Sequence, residues 1–295
     1  MKSNLIILVP IDFSKKSLLA FEQAKHLAKT SKSDIMLLNV IQPDNKTFSF
    51  VQSIFSDVER ASMNQRIEDG IREQLNQLIK KNSTSDIDIK AMVVTGKVYD
   101  QIIEVSKSLN CNYIVIGVND ADKENDSHVL GSNASRVVRT SEIPVITVNN
   151  TIVKEIKTVI LPLDLTKETQ QKVAKAIQFA KLTNAKIKIV TALLTDDPSI
   201  VSVLQHQMGF VEKFIKENYG NVSADFVFGN HDDDTLSGLV LKFSEENNGD
   251  IIVVMTQQET KLMKLFMGTT ALDIIYNSHV PVFSVVPKEI NRLKY

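Results

Sequence analysis

The segment "IILVPIDFS" at Ile6–Ser14 returns with the same pattern as "TVILPLDLT" at Thr158–Thr166. Each copy is a short apolar run that ends in a proline, with an aspartate two residues later and a hydroxyl residue two after that. An apolar run of this length, closed by a turn signal, is typical of a buried β-strand. Its return about half a chain later indicates that one structural unit occurs twice.

Three further segments of the first half return in the same order in the second half. They are "DIMLLNVI" (34–41) with "KIKIVTAL" (186–193), "NYIVIG" (112–117) with "DIIVVM" (250–255), and "GSNASRVVRTSEIPVITV" (131–148) with "GTTALDIIYNSHVPVFSV" (268–285). The sequence therefore predicts two domains, residues 1–150 and 151–295, joined near "NNTIVKEI".

Each copy alternates apolar runs with segments of helical period. In the first copy, strands are predicted near residues 4–10, 34–41, 87–94, 112–117 and 143–148. A long helix is predicted over about 58–81, because Ile67, Ile71, Leu75 and Leu78 keep the spacing of one helix face. Nearly continuous apolar strands that alternate with helices favour an α/β fold, a doubly wound parallel sheet with helices on both faces.

Composition excludes several classes of protein. The 295 residues are 43% hydrophobic and 23% charged, with a net charge of −1, which is ordinary for a soluble globular protein. This balance gives no electrostatic footprint for nucleic acid or for an anionic membrane surface. No apolar run approaches the roughly 18 residues that span a bilayer. Cys111 is the only cysteine, so no intrachain disulfide can form, and a cytoplasmic location is expected.

The predicted topology brings three separated features to one place. In a doubly wound sheet, ligands bind beyond the carboxyl ends of the strands, where the winding direction reverses. The loops after the first and fourth strands carry Asp12 and Gly117, and Gly131-Ser132 opens the next helix. A glycine and a hydroxyl at a helix N-terminus suit a phosphate, but Ser132 can equally cap its own helix. Asp12 is open to the same two interpretations, as ligand contact or helix cap.

Five segments of the first half together resemble a universal stress protein domain: "VPIDFS", "LLNVIQP", "VVTGKVYDQII", "YIVIG" and "LGSNASRVVRTSEIPVITV". The second half repeats this pattern more loosely. The resemblance implies a five-stranded parallel sheet of order 3-2-1-4-5 in each half. It also implies an internal pseudo-two-fold dimer, paired through the last strands of the two domains. Some members of that family bind ATP in the crevice, and others bind no nucleotide.

The ATP-binding members carry the pattern Gly, two residues, Gly, nine residues, Gly and then Ser or Thr. Gly117 matches the first glycine, whereas Asp120 stands where the second is expected, in a loop one residue longer. By resemblance, Asp12 is the adenine-side aspartate, and Val40 provides the backbone against purine and ribose. The nucleotide site implied by the resemblance comprises Pro10, Asp12, Val40, Gly117, Gly131, Ser132 and Asn133.

The second half keeps less of this pattern. Asp164 and Ala192 match Asp12 and Val40, and Gly268-Thr269 matches the closing pair, but Met255 and Gln258 replace the two earlier glycines. The resemblance therefore implies at most one nucleotide per chain, held by the first half.

Each of two acidic segments has two interpretations, a ligand-binding one and a purely structural one. The loop "VNDADKENDSHVL" (118–130) places four carboxylates near the expected triphosphate and would repel it unless a Mg²⁺ lay between them. A solvated acidic loop without a ligand is the alternative. The segment "GNHDDDT" (229–235) contains His231 beside three aspartates, which could hold a divalent ion or simply precede a helix. No metal site is expected.

We find no G-x-G-x-x-G, G-x-S-x-G or H-E-x-x-H motif in the sequence. The expected function is a stress-response protein that binds ATP with Mg²⁺, without turnover. One alternative is a protein-interaction module of the same fold, with an unknown protein partner and with a further homodimer as an option. A second alternative is an ATP-hydrolysing or phosphotransfer enzyme, such as a weak ATPase.

Overall fold

The computed structural model describes residues 5–42, 57–118, 132–165, 169–230, 233–256 and 268–286. Within these ranges the chain forms ten strands and eight helices. In the first half they are β1 (Leu5–Pro10), α1 (Lys15–Ser31), β2 (Ser33–Ile41), α2 (Asp57–Asn82), β3 (Ile89–Thr95), α3 (Val98–Ser108), β4 (Tyr113–Gly117), α4 (Ser132–Thr140) and β5 (Val145–Val148). In the second half they are β6 (Thr158–Pro162), α5 (Thr169–Thr183), β7 (Lys186–Leu193), α6 (Pro198–Asn218), β8 (Val222–Phe228), α7 (Leu236–Glu246), β9 (Ile251–Met255), α8 (Gly268–Asn277) and β10 (Val282–Val285).

All ten strands belong to one sheet, in the order β3-β2-β1-β4-β5-β10-β9-β6-β7-β8. Each half therefore has the expected order 3-2-1-4-5, and its strands run parallel to one another. The two halves meet where β5 and β10 pair antiparallel, with Phe283 opposite Ile146. An unpaired strand edge is an aggregation hazard, and this pairing covers two such edges at once. The predicted fold class and the internal pseudo-two-fold pairing are confirmed.

Two apolar layers cover the sheet, one on each face. One layer is built from α1, α2, α5 and α6, and includes Phe21, Leu75 and Phe179. The other is built from α3, α4, α7 and α8, and includes Ile102 and Val137. Each layer runs through both halves, so the two domains share continuous cores above and below the β5–β10 junction.

Three aromatic rings meet in the first of these layers, close to the junction. Tyr113 of β4, Phe179 of α5 and Phe283 of β10 have ring centroids 4.9 to 6.1 Å apart. Tyr113 and Phe179 meet edge to face, at 81°. Rings at these separations attract one another beyond the area that they bury. The cluster therefore fastens the first domain to the second.

The segment between the domains is held to both halves by side-chain hydrogen bonds. The Asn149 side-chain amide donates to the carbonyl oxygens of Ile275 and Tyr276, at 3.1 and 2.8 Å, near the end of α8. The Gln23 amide both donates to and accepts from the backbone of Val153, at 2.9 and 2.8 Å. These bonds satisfy backbone groups that the helix end and the linker would otherwise leave unpaired.

The predicted helix over 58–81 is present as α2, but its predicted apolar face is only partly buried. Leu75 is 1% exposed, whereas Ile67 is 43% exposed. Leu75 and its partly buried neighbours Ile71 and Leu78 pack onto the core, while the described residues 62–67 are exposed. The spacing correctly predicted the helix, but it did not predict where along the helix the contact with the sheet ends.

Candidate functional site

A cavity of about 330 Å³ opens at the carboxyl ends of the strands in the first half. It lies where β1 neighbours both β2 and β4, so the crossovers diverge to opposite faces and leave a crevice. Its walls come from the ends of β1, β2 and β4 and from the first turns of α1, α3 and α4. The lining residues are Pro10, Ile11, Asp12, Ser14, Lys16, Ser17, Leu38, Val40, Val98, Ile102, Ile116, Gly117, Asn133 and Ala134.

The structure brings most of the predicted site residues to this single cavity. Pro10, Asp12, Val40, Gly117 and Asn133 all line it, although they are spread over more than 120 positions of the chain. Ser132 is the first residue of α4, whose following residues Asn133 and Ala134 reach the cavity. Gly131, Asp120 and the rest of the acidic loop lie outside the described residues.

The Asp12 carboxylate is held at the mouth of the cavity by the turn that precedes α1. Its Oδ1 accepts a hydrogen bond from the Ser14 amide at 3.0 Å, and its own amide donates to Ser17 Oγ at 3.3 Å. Burial alone would raise the pKa of Asp12, but hydrogen bonds with Ser14 and Ser17 outweigh burial and leave the pKa below its usual value. Asp12 is therefore an ionised acceptor at neutral pH.

The N-cap of α1 is Ser14, whose side chain accepts from the Ser17 amide. The capping role that the sequence left open for Asp12 is thus performed two residues later, and Asp12 instead supports the turn. Phe13, between them, has a φ of 63°, and its counterpart Leu165 has a φ of 59°. Left-handed backbone is costly for bulky side chains. Because both copies adopt it, this turn belongs to the repeated fold and not to one ligand site.

Gly117 has a packing role that the sequence did not indicate. A Cβ added there would lie 2.4 Å from the Lys16 carbonyl oxygen, so the end of β4 touches the first turn of α1 backbone to backbone. The glycine expected to let a phosphate approach is therefore already required by the protein itself.

Sequence reasoning missed Lys16, which lines the same cavity. Its Nζ donates to the Asn149 carbonyl oxygen at 3.2 Å and to Asn150 Oδ1 at 2.8 Å. A positive charge in the first turn of a helix is unfavourable, because it opposes the helix dipole. That unfavourable position is the sequence signal that could have indicated a contact of Lys16 outside its own helix. Lys16 ties the crevice to the linker between the domains.

The second half has its own cavity at the equivalent place, of about 250 Å³. Asp164 and Ala192 line it, as their counterparts Asp12 and Val40 line the first. Two long side chains, Lys172 and Met255, also line it. Met255, which replaces the first glycine of the pattern, therefore lines the second crevice, while Gln258 and the rest of the segment 257–267 lie outside the described residues.

Within the described ranges, no group of three or more His, Cys, Asp or Glu side chains is placed to bind a metal ion. His231 and Asp232 lie outside those ranges. Asp234 of the same segment accepts a hydrogen bond from the Asn230 amide at 2.8 Å, which fits the turn before α7. Among the described helices, none is both long and apolar enough to cross a membrane.

The fold and its two crevices define a class of protein, the tandem doubly wound α/β domain with a cavity at each switch point. Comparison with known families gives the family. The model of the universal stress protein family matches residues 4–149 and again residues 155–285. The chain therefore belongs to the universal stress protein family, as a tandem of two such domains.

Individual relatives agree with this assignment. The chain is 28% identical to universal stress protein G of Shigella flexneri over 144 residues, which cover 48% of this chain and 96% of that protein. A universal stress protein structure from Archaeoglobus fulgidus superposes with a TM-score of 0.71 at 22% identity, covering 97% of this chain and 99% of the other. A putative universal stress protein from Pseudomonas aeruginosa gives 0.63 at 14% identity, covering 97% and 94%. At these identities the structures establish the fold alone.

Proposed function

We propose that the protein is a stress-response protein that binds one adenine nucleotide, ATP, in the crevice of its first half. One observation carries the proposal: Pro10, Asp12, Val40, Gly117 and Asn133, which the resemblance assigned to a nucleotide site, line one cavity at the switch point. The volume of about 330 Å³ is within the range usual for ligand pockets.

The chemistry along the cavity suits the parts of a nucleotide. Leu38, Val40 and Ile102 provide an apolar wall for the purine. The ionised Asp12 carboxylate accepts hydrogen bonds, which suits ribose hydroxyls or the adenine amino group. Asn133 and Ala134, in the first turn of α4, line the cavity, and the unpaired amides of a helix N-terminus suit an anion.

We propose that the nucleotide binds together with Mg²⁺. The carboxylates of the loop 118–130 would repel a triphosphate, and a divalent cation between them would turn the repulsion into coordination. We further propose that residues 1–150 and 151–295 are the two domains, that the protein acts in the cytoplasm, and that it binds nucleotide without turning it over.

A matched pair of variants tests the proposal, since the repeat aligns Val40 with Ala192 in the second crevice. In equilibrium dialysis, the wild type should bind one labelled ATP per chain. Val40→Phe should fill the first cavity and abolish that binding. Ala192→Phe should leave that stoichiometry unchanged. The proposal is wrong if Val40→Phe binds as the wild type does, or if only Ala192→Phe loses the nucleotide.

A binding-only role also has a direct test. Wild-type protein incubated with Mg-ATP should release no phosphate above the buffer control. Phosphate release that Val40→Phe abolishes would instead support the alternative of a weak ATPase.

A second function, that of a protein-interaction module, is favoured by the outer side of α6. Val203, Phe210 and Phe214 on that helix are 58%, 63% and 51% exposed. Exposed apolar side chains grouped on one helix suit a protein partner. A second copy of the chain is the simplest such partner, because a two-fold contact uses one surface twice. Sedimentation velocity should then show association that the double variant Phe210→Ser with Phe214→Ser removes.

A further inference from the structure

The second crevice is rebuilt, rather than being a degraded copy of the first. When the repeats are aligned strand by strand, Lys172 stands at the position of Ala20, and Met255 at the position of Gly117. Ala20 is fully buried, and Gly117 has no room for a Cβ. In the second half both positions carry long side chains that line the cavity. A lysine amine has thus been placed where the first half has only a methyl group.

The Lys172 amine lines a cavity in which most of the side chains are apolar. Its Nζ donates a hydrogen bond to the carbonyl oxygen of Pro162, at the end of β6. The cavity around it is formed mainly by apolar side chains, among them Val190, Leu236 and Ile274. Burial lowers the pKa of Lys172 to about 8, although the Asp164 carboxylate opposes the shift. A larger fraction of this amine is therefore uncharged at pH 7 than of an exposed lysine.

From this geometry we propose that Lys172 is a nucleophilic site that captures small apolar aldehydes as an imine. A desolvated lysine in an apolar pocket is the usual arrangement for an amine that attacks a carbonyl group. The proposal does not depend on nucleotide binding in the first crevice, because the two cavities are separate.

The chemical step is balanced without any oxidant or reductant. The uncharged Nζ adds to the carbonyl carbon of the aldehyde, and a proton passes from nitrogen to oxygen to give a carbinolamine. Loss of water then gives the imine. Counted from the ammonium, one lysine and one aldehyde yield one protonated imine and one water. The Asp164 carboxylate, which lines the same cavity, balances the positive charge of that product.

The cavity also limits the size and polarity of the compound. Its volume of about 250 Å³ suits molecules of a few carbon atoms, and its mainly apolar lining favours uncharged chains or rings. Butanal is a suitable probe, because its chain is apolar and its aldehyde is unhindered.

The experiment uses the full chain, butanal and sodium cyanoborohydride at pH 7, with peptide mass spectrometry to locate the reduced adducts. We expect Lys172 to be labelled at least about tenfold faster than the exposed Lys90 and Lys157, since its uncharged fraction is far larger. Equal or slower labelling of Lys172 would overturn the proposal, and this comparison needs no variant.

Two variants and a pH series add independent readouts. Lys172→Arg keeps the cation but should abolish the fast phase, whereas Lys175→Arg, on the same helix but not lining the cavity, should leave it unchanged. Labelling of Lys172 should level off above about pH 8, while that of Lys90 keeps rising, because Asp88 raises the pKa of Lys90. A Lys172 rate that follows Lys90 to high pH would contradict a desolvated amine.

Discussion

The backbone of Gly117 lies against that of Lys16, so closely that an added Cβ would stand 2.4 Å from the Lys16 carbonyl oxygen. Gly117→Ala must therefore shift β4 or the first turn of α1. We expect it to lower the free energy of unfolding by about 1–3 kcal/mol, measured by urea denaturation without nucleotide. A role confined to phosphate binding predicts no change under these conditions.

Gly209 provides the matched control for that measurement. It lies inside α6, and a Cβ there would meet nothing within 4 Å. Gly209→Ala should stabilise the protein by about 0.5–1 kcal/mol, because alanine is the better helix former. If the two alanine variants were equally stable, the contact between Gly117 and Lys16 would not limit that position.

The aromatic cluster of Tyr113, Phe179 and Phe283 predicts that the domains unfold together. Phe283→Ala removes the ring from β10 at the junction and should cost about 3–5 kcal/mol in thermal or urea unfolding. Phe228→Ala, at an exposed strand end where the side chain is 51% accessible, should cost far less. A wild-type protein that unfolded in two well-separated steps would argue against coupling through this cluster.

Cys111 should behave as an inert buried thiol. Burial raises the pKa of its thiol to about 11, and the residue packs in the layer beneath α3 and α4. The thiolate is the reactive form, so at pH 8 a disulfide reagent such as dithionitrobenzoate should react only after urea is added. Rapid reaction of the native protein at pH 8 would show that the thiol is accessible. Reactivity should rise only as the pH approaches 11.

Asp120 offers a test of the acidic loop, although it lies outside the described residues. Asp120→Gly removes a like charge and a Cβ near the expected phosphates, and should tighten ATP binding by about 1 kcal/mol in titration calorimetry. Asp86→Gly removes the same charge just before β3 begins, at the amino ends of the strands, whereas the cavity lies at their carboxyl ends. This variant should leave the affinity unchanged. Equal or weaker binding by Asp120→Gly would remove the electrostatic explanation of this loop.

Local patterns in the sequence were sufficient for the strands and the repeat, whereas the pairing of the two halves was implied by the family resemblance. The apolar runs that became β1 and β6 have the same closing proline and aspartate, so each specifies a buried strand with one kind of turn after it. The last strands β5 and β10 had to be covered because an exposed edge aggregates. The strands and the repeat depend on neighbouring residues, which a sequence displays directly.

Only the tertiary structure identified the contacts that distinguish the two crevices. Gly117 and Lys16 are about 100 residues apart, and no local pattern or periodicity links the two positions. Their backbone contact arises from the approach of β4 to α1. Lys172 occupies one position in an ordinary helical pattern, and nothing nearby in sequence marks it as lining a cavity. The physical reason is that residues distant in the chain pack into one shared volume. The Ala20 methyl group and the Gly117 hydrogen of the first crevice are replaced by the longer side chains of Lys172 and Met255 in the second.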